Sequence, residues 1–306
     1  MKIYDVAFLG MGASALATAK LKYKGTNISL IGIDKNYHSK RNNFFAFWLT
    51  DWMKDFDSLA QKKWFCWNFY LTNNHIKHET KDLPYCTIRY QDWKNYCLKG
   101  LENLSIKEFN VQSITNLKKY YEIKLENGEE IFAKKIYDSR TPKLENEKVK
   151  QHFFGYLIET KQMINSNSVT LMDFRVEQKM GLHFMYCLPI DENRMLVEST
   201  VFSSEIQEDA WYQKQILEYI ETKLNLSEYK IVDEEKGALP MYDIENKSSE
   251  NYINIGSRGG ATKISTGYAF SFFLKNIMLN FENINKSHHS YLSLIHISEP
   301  TRRTPI

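Results

Sequence analysis

A chain of 306 residues with 43% apolar and 14% aromatic content carries ample material for a packed enzyme, and its length favours two domains over one. Lys and Arg number 40 against 37 Asp and Glu, a formal charge of only +3, so composition supplies no electrostatic footprint for nucleic acid. The four cysteines, Cys66, Cys86, Cys97 and Cys187, form no C-x-x-C pair; no signal peptide precedes the first strand, and Lys275 interrupts the best apolar run well short of a membrane span. A reducing cytoplasm, no disulfide framework and at most peripheral membrane contact are the resulting expectations.

In chain order, residues 4–9 read as a short apolar strand that passes through Gly10-Met11-Gly12-Ala13-Ser14-Ala15 into a helix of small residues. This is a G-x-G-x-x-A fingerprint. Gly10 permits the tight turn, Gly12 lets backbone approach a pyrophosphate, and Ala15 allows close packing of helix on strand, with the phosphates at the helix N-terminus. A second strand, 28–33, ends in Asp34, about twenty residues after the glycines, where an acid binds a ribose hydroxyl. A glycine triplet alone also fits a plain βαβ core unit; strand, helix, second strand and acid in register favour dinucleotide binding.

Residues 44–70 form a dense aromatic block holding Trp48, Trp52, Trp64 and Trp67, which reads either as core or as a greasy tunnel for a long apolar ligand. His75 and His78 give H-x-x-H with no acidic or cysteine companion in pattern, so no metal site is expected. Residues 85–101 read as a strand end and helix, 111–137 as a β-meander turning at Asn127-Gly128, and 136–140 as a strand ending in polar residues. That order is how a flavin-type nucleotide domain is threaded.

Beyond residue 146 the pattern changes to long alternating strands at 153–160 and 168–174. A hairpin over 184–203 then turns at Asp191-Glu192-Asn193, and a helix over 208–224 precedes a strand over 231–242. In the second hairpin strand Glu198 shares a face with Leu196, Thr200 and Phe202. Two readings stay open: a wet glutamate on a sheet edge, or a buried carboxyl whose pKa is raised enough to donate a proton near neutral pH. Residues 252–256 return to a nucleotide-domain strand, and Gly256, Gly259, Gly260, Thr266 and Gly267 form glycine-rich turns before a helix over 268–279. The expected organisation is a nucleotide-binding domain over 1–145 plus 250–285, including the aromatic insert 44–70, interrupted by a sheet domain over 146–249. Residues 292–306 look like the translation of a sequencing adapter, a non-native tail, so the natural chain is expected to continue differently.

The ordered blocks Asp5 to Ala15, Phe47-Trp48, Asp138-Ser139-Arg140, Gln151-His152-Phe153-Phe154-Gly155, Met172-Asp173-Phe174-Arg175, Tyr186-Cys187-Leu188-Pro189, Leu196-Val197-Glu198-Ser199-Thr200, Gly237-Ala238-Leu239-Pro240-Met241 and Ile255-Gly256 through Thr266-Gly267-Tyr268 resemble the flavin-dependent lycopene cyclases. The resemblance implies an α/β fold: a Rossmann-like, glutathione-reductase-like FAD-binding domain with an inserted antiparallel β-sheet substrate domain. It implies reduced FAD as cofactor, with NAD(P)H as its reductant. The implied substrate is lycopene or a related linear carotene, met at a membrane surface from the cytoplasmic side. The implied reaction is an isomerisation that closes β-ionone rings, with Glu198 as the essential acid/base. Asp173, in another matching block, is a candidate to orient Glu198 or raise its pKa by like-charge repulsion, with a solvated strand aspartate as the alternative. Rival readings are a flavin monooxygenase, disfavoured by Gly256-Ser257 where that class has Gly-Asp, and a non-catalytic carotenoid-binding protein.

Overall fold

The computed structural model describes residues 1–39, 43–245 and 247–282. The chain divides into two compact units and passes between them repeatedly. Residues 1–35 supply β1 (Ile3–Leu9), α1 (Ala13–Tyr23) and β2 (Leu30–Ile33) to the first unit. Residues 36–99 supply β3 (Phe44–Trp48), β4 (Lys62–Trp64), β5 (Cys66–Leu71), β6 (Asn74–Glu79), β7 (Tyr85–Arg89) and α2 (Tyr90–Leu98) to the second. Residues 100–142 return β8 (Leu104–Lys107), β9 (Val111–Asn116), β10 (Tyr121–Leu125) and β11 (Glu130–Asp138) to the first. Residues 143–242 give the second unit β12 (Lys150–Thr160), β13 (Val169–Asp173), β14 (Leu182–Pro189), β15 (Arg194–Ser203), α3 (Asp209–Thr222) and β16 (Tyr229–Pro240). From residue 243 the chain rejoins the first unit with β17 (Tyr252–Asn254) and α4 (Phe270–Glu282).

The first unit is built on a sheet ordered β8-β2-β1-β11-β10-β9, with β17 also paired to β11. Strands β8, β2, β1, β11 and β17 run parallel, and β9 and β10 add an antiparallel meander that turns from β10 into β11 at Gly128, which takes φ +84°. Its core is the apolar alternation of the parallel strands, Ala7 and Leu9 with Ile31, Ile33 and Ile136. Helix α1 is buried from Ser14 to Lys20; alanine, the best helix former, leaves it slim enough to lie close to its neighbours.

The second unit holds a seven-stranded sheet ordered β16-β12-β15-β14-β13-β5-β6 and a small sheet β3-β7-β4. The sequence reading puts the aromatic block with the nucleotide domain, but residues 36–99 group with the antiparallel sheet. The physical reason is a register no local pattern announces: β5 pairs in parallel with β13, a hundred residues away, Trp67 opposite Val169 and Tyr70 opposite Asp173. Alternation on β12, β14 and β15 sends Phe154, Ile158, Met185, Val197 and Val201 to one face, where α3 covers them with Tyr212, Ile216, Tyr219 and Ile220. The other face carries Leu196, Glu198, Thr200 and Phe202. Cys66, Cys86, Cys97 and Cys187 are all free thiols. Residues 292–306, the expected non-native tail, lie outside the described residues.

Candidate functional site

In the first unit the glycine-rich turn has the geometry its sequence implies. Gly10 takes φ +76°, and a Cβ there would stand 3.1 Å from Ser139 Oγ and 3.2 Å from Arg140 N, so both conformation and space call for glycine. Ser139 Oγ donates to Gly10 O at 2.9 Å, tying the turn to the end of β11. Gly12 is the N-cap of α1 with no side-chain cap bond, and nothing lies within 4 Å of where its Cβ would be. Ala15 is fully buried, as close packing requires. Asp34, 7% exposed, accepts a hydrogen bond from Met11 N–H at 2.8 Å, so the acid is held against the turn.

The second glycine cluster meets the same helix. Gly256 takes φ +62°, and a Cβ would lie 2.5 Å from Ser14 Oγ of α1; at Gly259 one would lie 2.5 Å from Asn254 O. Gly260 and Gly267 also take left-handed backbone, at φ +77° and +74°. Helix α4 and the turn at Gly256 both pack on α1. Thr266 Oγ1 is buried with no hydrogen-bond partner. A helix N-terminus without a side-chain cap aims its backbone N–H groups and the positive end of its dipole outward, and a glycine with open space beside it gives an anion access to them. The orphaned Thr266 hydroxyl, in the same glycine-rich segment as Gly267, is a further donor. These residues fit a dinucleotide pyrophosphate.

In the second unit Glu198 is 7% exposed, in the middle of the sheet. The register places Glu235 on β16, Gly155 on β12, Glu198 on β15 and Tyr186 on β14 side by side in one row. Since Gly155 has no side chain, the two glutamates face each other across a gap. A Cβ at Gly155 would lie 3.4 Å from Glu198 Cβ and 3.5 Å from its Cγ. Burial, then repulsion from Glu235, pushes the Glu198 carboxyl up to about 8, against the hydroxyl of Thr200, which donates to Oε1. Glu235 is half-buried, and burial raises its carboxyl to about 7; the Phe44 N–H, donating to Oε2 at 3.0 Å, pulls the other way, Asp233 adds repulsion, and Arg89 opposes the rise. On the far side of Glu198, Tyr186 Oη is hydrogen-bonded to Tyr85 Oη at 2.7 Å, and Tyr85 packs edge-on to Trp48 with ring centroids 4.9 Å apart. Part of the aromatic block thus adjoins the carboxyl row.

Asp173 is elsewhere. It sits opposite Met185, on the face covered by α3, the opposite one from Glu198. Its carboxylate accepts from Arg175 Nε at 2.9 Å, Arg175 Nη2 at 2.6 Å and Tyr219 Oη at 2.7 Å. Burial raises its pKa, but those bonds outweigh it and hold the group below the usual carboxylate range. The expected approach of Asp173 to Glu198 is therefore not made; β13 carries a register shift between Thr170 and Asp173, and the like charge beside Glu198 is Glu235. Gly155 belongs to a block that resembles the family but has no role readable from the sequence, and Glu235 stands out in no local pattern. The strand over 231–242 was legible, but nothing local says that position 235 lies level with 198.

A profile of the family described as lycopene cyclase protein matches residues 5–289. Among curated proteins, the chloroplastic neoxanthin synthase of Solanum tuberosum is 23% identical, over 87% of this chain and 57% of its own length, so the chain spans little more than half of that relative. Among solved structures, a geranylgeranyl bacteriochlorophyll reductase-like protein from Thermoplasma acidophilum superimposes with TM-score 0.70 at 11% identity, over 93% of this chain and 79% of that one. The flavin-dependent brominase Bmp2 superimposes with TM-score 0.63 at 16% identity, over 92% and 79%. At such identities the two structures share a fold with this chain, and the likeness extends no further.

Proposed function

Because the chain belongs to the lycopene cyclase family, we propose that it closes the ends of lycopene, or a related linear carotene, into β-ionone rings by acid/base catalysis without net redox. The observation that carries the reading is Glu198: a buried carboxyl, raised to about 8 and therefore protonated at neutral pH, with no cation paired to it among the described residues.

An alkene is a very weak base, so its protonation requires a strong donor held where water is excluded. Glu198 gives its proton to the terminal double bond of the carotene. Thr200 occupies Oε1, which leaves Oε2 to carry that proton. The resulting tertiary cation is attacked by the next double bond, and loss of one ring proton completes the product with every atom accounted for. Aromatic faces stabilise a desolvated cation by about 2 kcal/mol or more, a use open to Tyr186, Tyr85 and Trp48. Gly10, Gly12, Asp34, Gly256 and Thr266 would hold FAD through its pyrophosphate and ribose, with Gly259, Gly260 and Gly267 shaping the adjoining turns. In its reduced form, with NAD(P)H as reductant, that cofactor supplies an electron-rich ring able to stabilise positive charge. The insolubility of such a substrate is the reason to expect peripheral contact with a membrane, in a cytoplasmic setting; among the described residues no helix is long and apolar enough to cross one.

The test is the pigment profile of lycopene-accumulating cells expressing the chain or its Glu198→Gln variant. Conversion of lycopene to a cyclic carotene is expected from the first and a loss of about 10² to 10⁴ in rate from the second, the range of general acid catalysis. Unchanged lycopene from a folded, flavin-loaded protein would overturn the cyclase reading.

A further inference from the structure

We infer that Glu235 is a second catalytic carboxylate, the base that removes the ring proton and returns it to Glu198 across the gap at Gly155. The inference rests on the cyclisation reading and adds the proton's second half-journey.

The geometry argues it in three steps. First, Gly155 stands opposite Glu198 on one side and Glu235 on the other, so the glutamates belong to one row of one face. Neighbouring strands are about 4.8 Å apart, which puts the two Cα atoms about 10 Å apart, and two glutamate side chains leaning inward over a glycine close that span. Glu198 does lean that way, as the approach of its Cβ and Cγ to Gly155 shows. Second, the row has no evident architectural purpose. Neither carboxyl has an ion-pair partner among the described residues, although burying two acids side by side disfavours the folded state. The charged groups facing Glu235 are Asp233 on its own strand, Glu198 across β12 and Arg89 of β7; only the last is a cation. Third, the two acids are held unequally. Glu235 Oε2 accepts the Phe44 N–H, a bond that favours its ionised form, while Glu198 is the more deeply buried and is repelled by its neighbour.

Two like carboxyls at short range do not both ionise readily, so near neutral pH the pair retains one proton: a donor at Glu198 and an acceptor at Glu235. Ring closure needs both at once. The proton leaves Glu198 for the inner, hydrogen-bearing carbon of the terminal double bond, and the tertiary cation left on the dimethyl carbon bonds to the next double bond. The carbon–hydrogen bond where ring meets polyene then breaks, its electron pair forming the ring double bond and its proton passing to Glu235. Transfer from Glu235 back to Glu198 restores the starting state, with no oxidant or reductant consumed.

The experiment is turnover of lycopene in D2O by the flavin-loaded wild-type protein, Glu198→Gln, Glu235→Gln and Glu235→Asp, scoring cyclic product and deuterium in recovered lycopene. Wild type should give cyclic carotene with at most one deuterium per ring, and less than one to the extent that the ring proton returned through Glu235 is reused before the carboxyls exchange with solvent. Glu235→Gln should lose about 100-fold in cyclic product while deuterium still washes into lycopene, because protonation by Glu198 continues and reverses. Glu235→Asp should recover at least about tenfold over Glu235→Gln, and Glu198→Gln should show neither product nor wash-in. Cyclisation within about twofold of wild type in Glu235→Gln overturns the inference, as does parallel loss of product and wash-in. If Glu235→Gln does not fold, the wild-type pH profile decides. A bell with limbs near 7 and 8 supports the pair, and a single descending limb overturns it. Absence of cyclic product from wild type itself is the separate failure of the cyclisation reading, and the inference falls with it.

Discussion

Asp173 and Glu198 lie two strands apart in the same sheet, both withdrawn from water, on opposite faces. On the α3 side Asp173 meets a guanidinium and a phenol, and stays ionised. On the other side Glu198 meets a threonine hydroxyl and a second glutamate, and keeps its proton. Burial works against the charge in both places; the partner decides the outcome. The first unit repeats the α3-side solution: Asp138 accepts from Arg140 Nε at 2.9 Å, Arg140 Nη2 at 2.7 Å and Tyr252 Oη at 2.7 Å. An aspartate at a strand end clamped by the arginine two residues on and by a distant tyrosine is thus a device of this fold in both units. A glutamate opposite a glycine opposite a glutamate, among the described residues, belongs to the second unit alone, on the face turned away from α3.

The sharpest break of this comparison is Asp173→Asn, which leaves Arg175 and Tyr219 without their anion. A loss of about 3 kcal/mol in unfolding free energy is expected by denaturant titration, with cyclisation per folded molecule little changed. Full stability with abolished turnover would instead place Asp173 in the chemistry.

The two carboxyls also drive stability in opposite directions with pH. Asp173, with a lowered folded pKa, contributes stability that is present above its unfolded value near 4 and lost as pH falls through the folded one. Glu198, raised to about 8, binds its proton more tightly folded than unfolded, so its contribution is present below about 4.5 and lost as pH rises toward 8. Glu198→Gln should therefore match wild type near pH 5 and exceed it by on the order of 2 kcal/mol near pH 9, read as melting temperature across pH. An unchanged alkaline slope would show that Glu198 is solvated after all.

Tyr186→Phe removes the hydrogen bond between the Tyr186 and Tyr85 hydroxyls, an expected loss of about 1 kcal/mol with the fold intact. Smallest in stability is Gly155→Ala. The new methyl meets Leu196 Cδ1 at 3.3 Å and Glu198 Cβ at 3.4 Å, a contact absorbed within about 0.5 kcal/mol. It also stands between the two glutamates, so turnover should fall much further than stability; equal effects on both would argue against communication across the gap.

How much of this was written in the chain differs by region. The nucleotide-type half was readable because its information is local: Gly10, Gly12, Ala15 and Asp34 act through backbone conformation and the next turn of helix, and each lies within about 25 residues of the others. The alternation of β15 likewise assigns Glu198 to the face of Leu196, Thr200 and Phe202, since a strand has a period of two. The same period could not say which face another strand's carboxylate would take. A register shift in β13 turned Asp173 toward α3, and the pairing of β12 with β16 brought Glu235 level with Glu198 from 37 positions away. Nor could composition tell whether residues 44–70 were core or wall, because that depends on the parallel pairing of β5 with β13. Local pattern in the chain establishes which residues can carry charge, turn backbone or fill a core. Tertiary structure alone decided which carboxylates share a dielectric, because register is settled by the burial of whole faces, a sum over several strands that no single stretch contains.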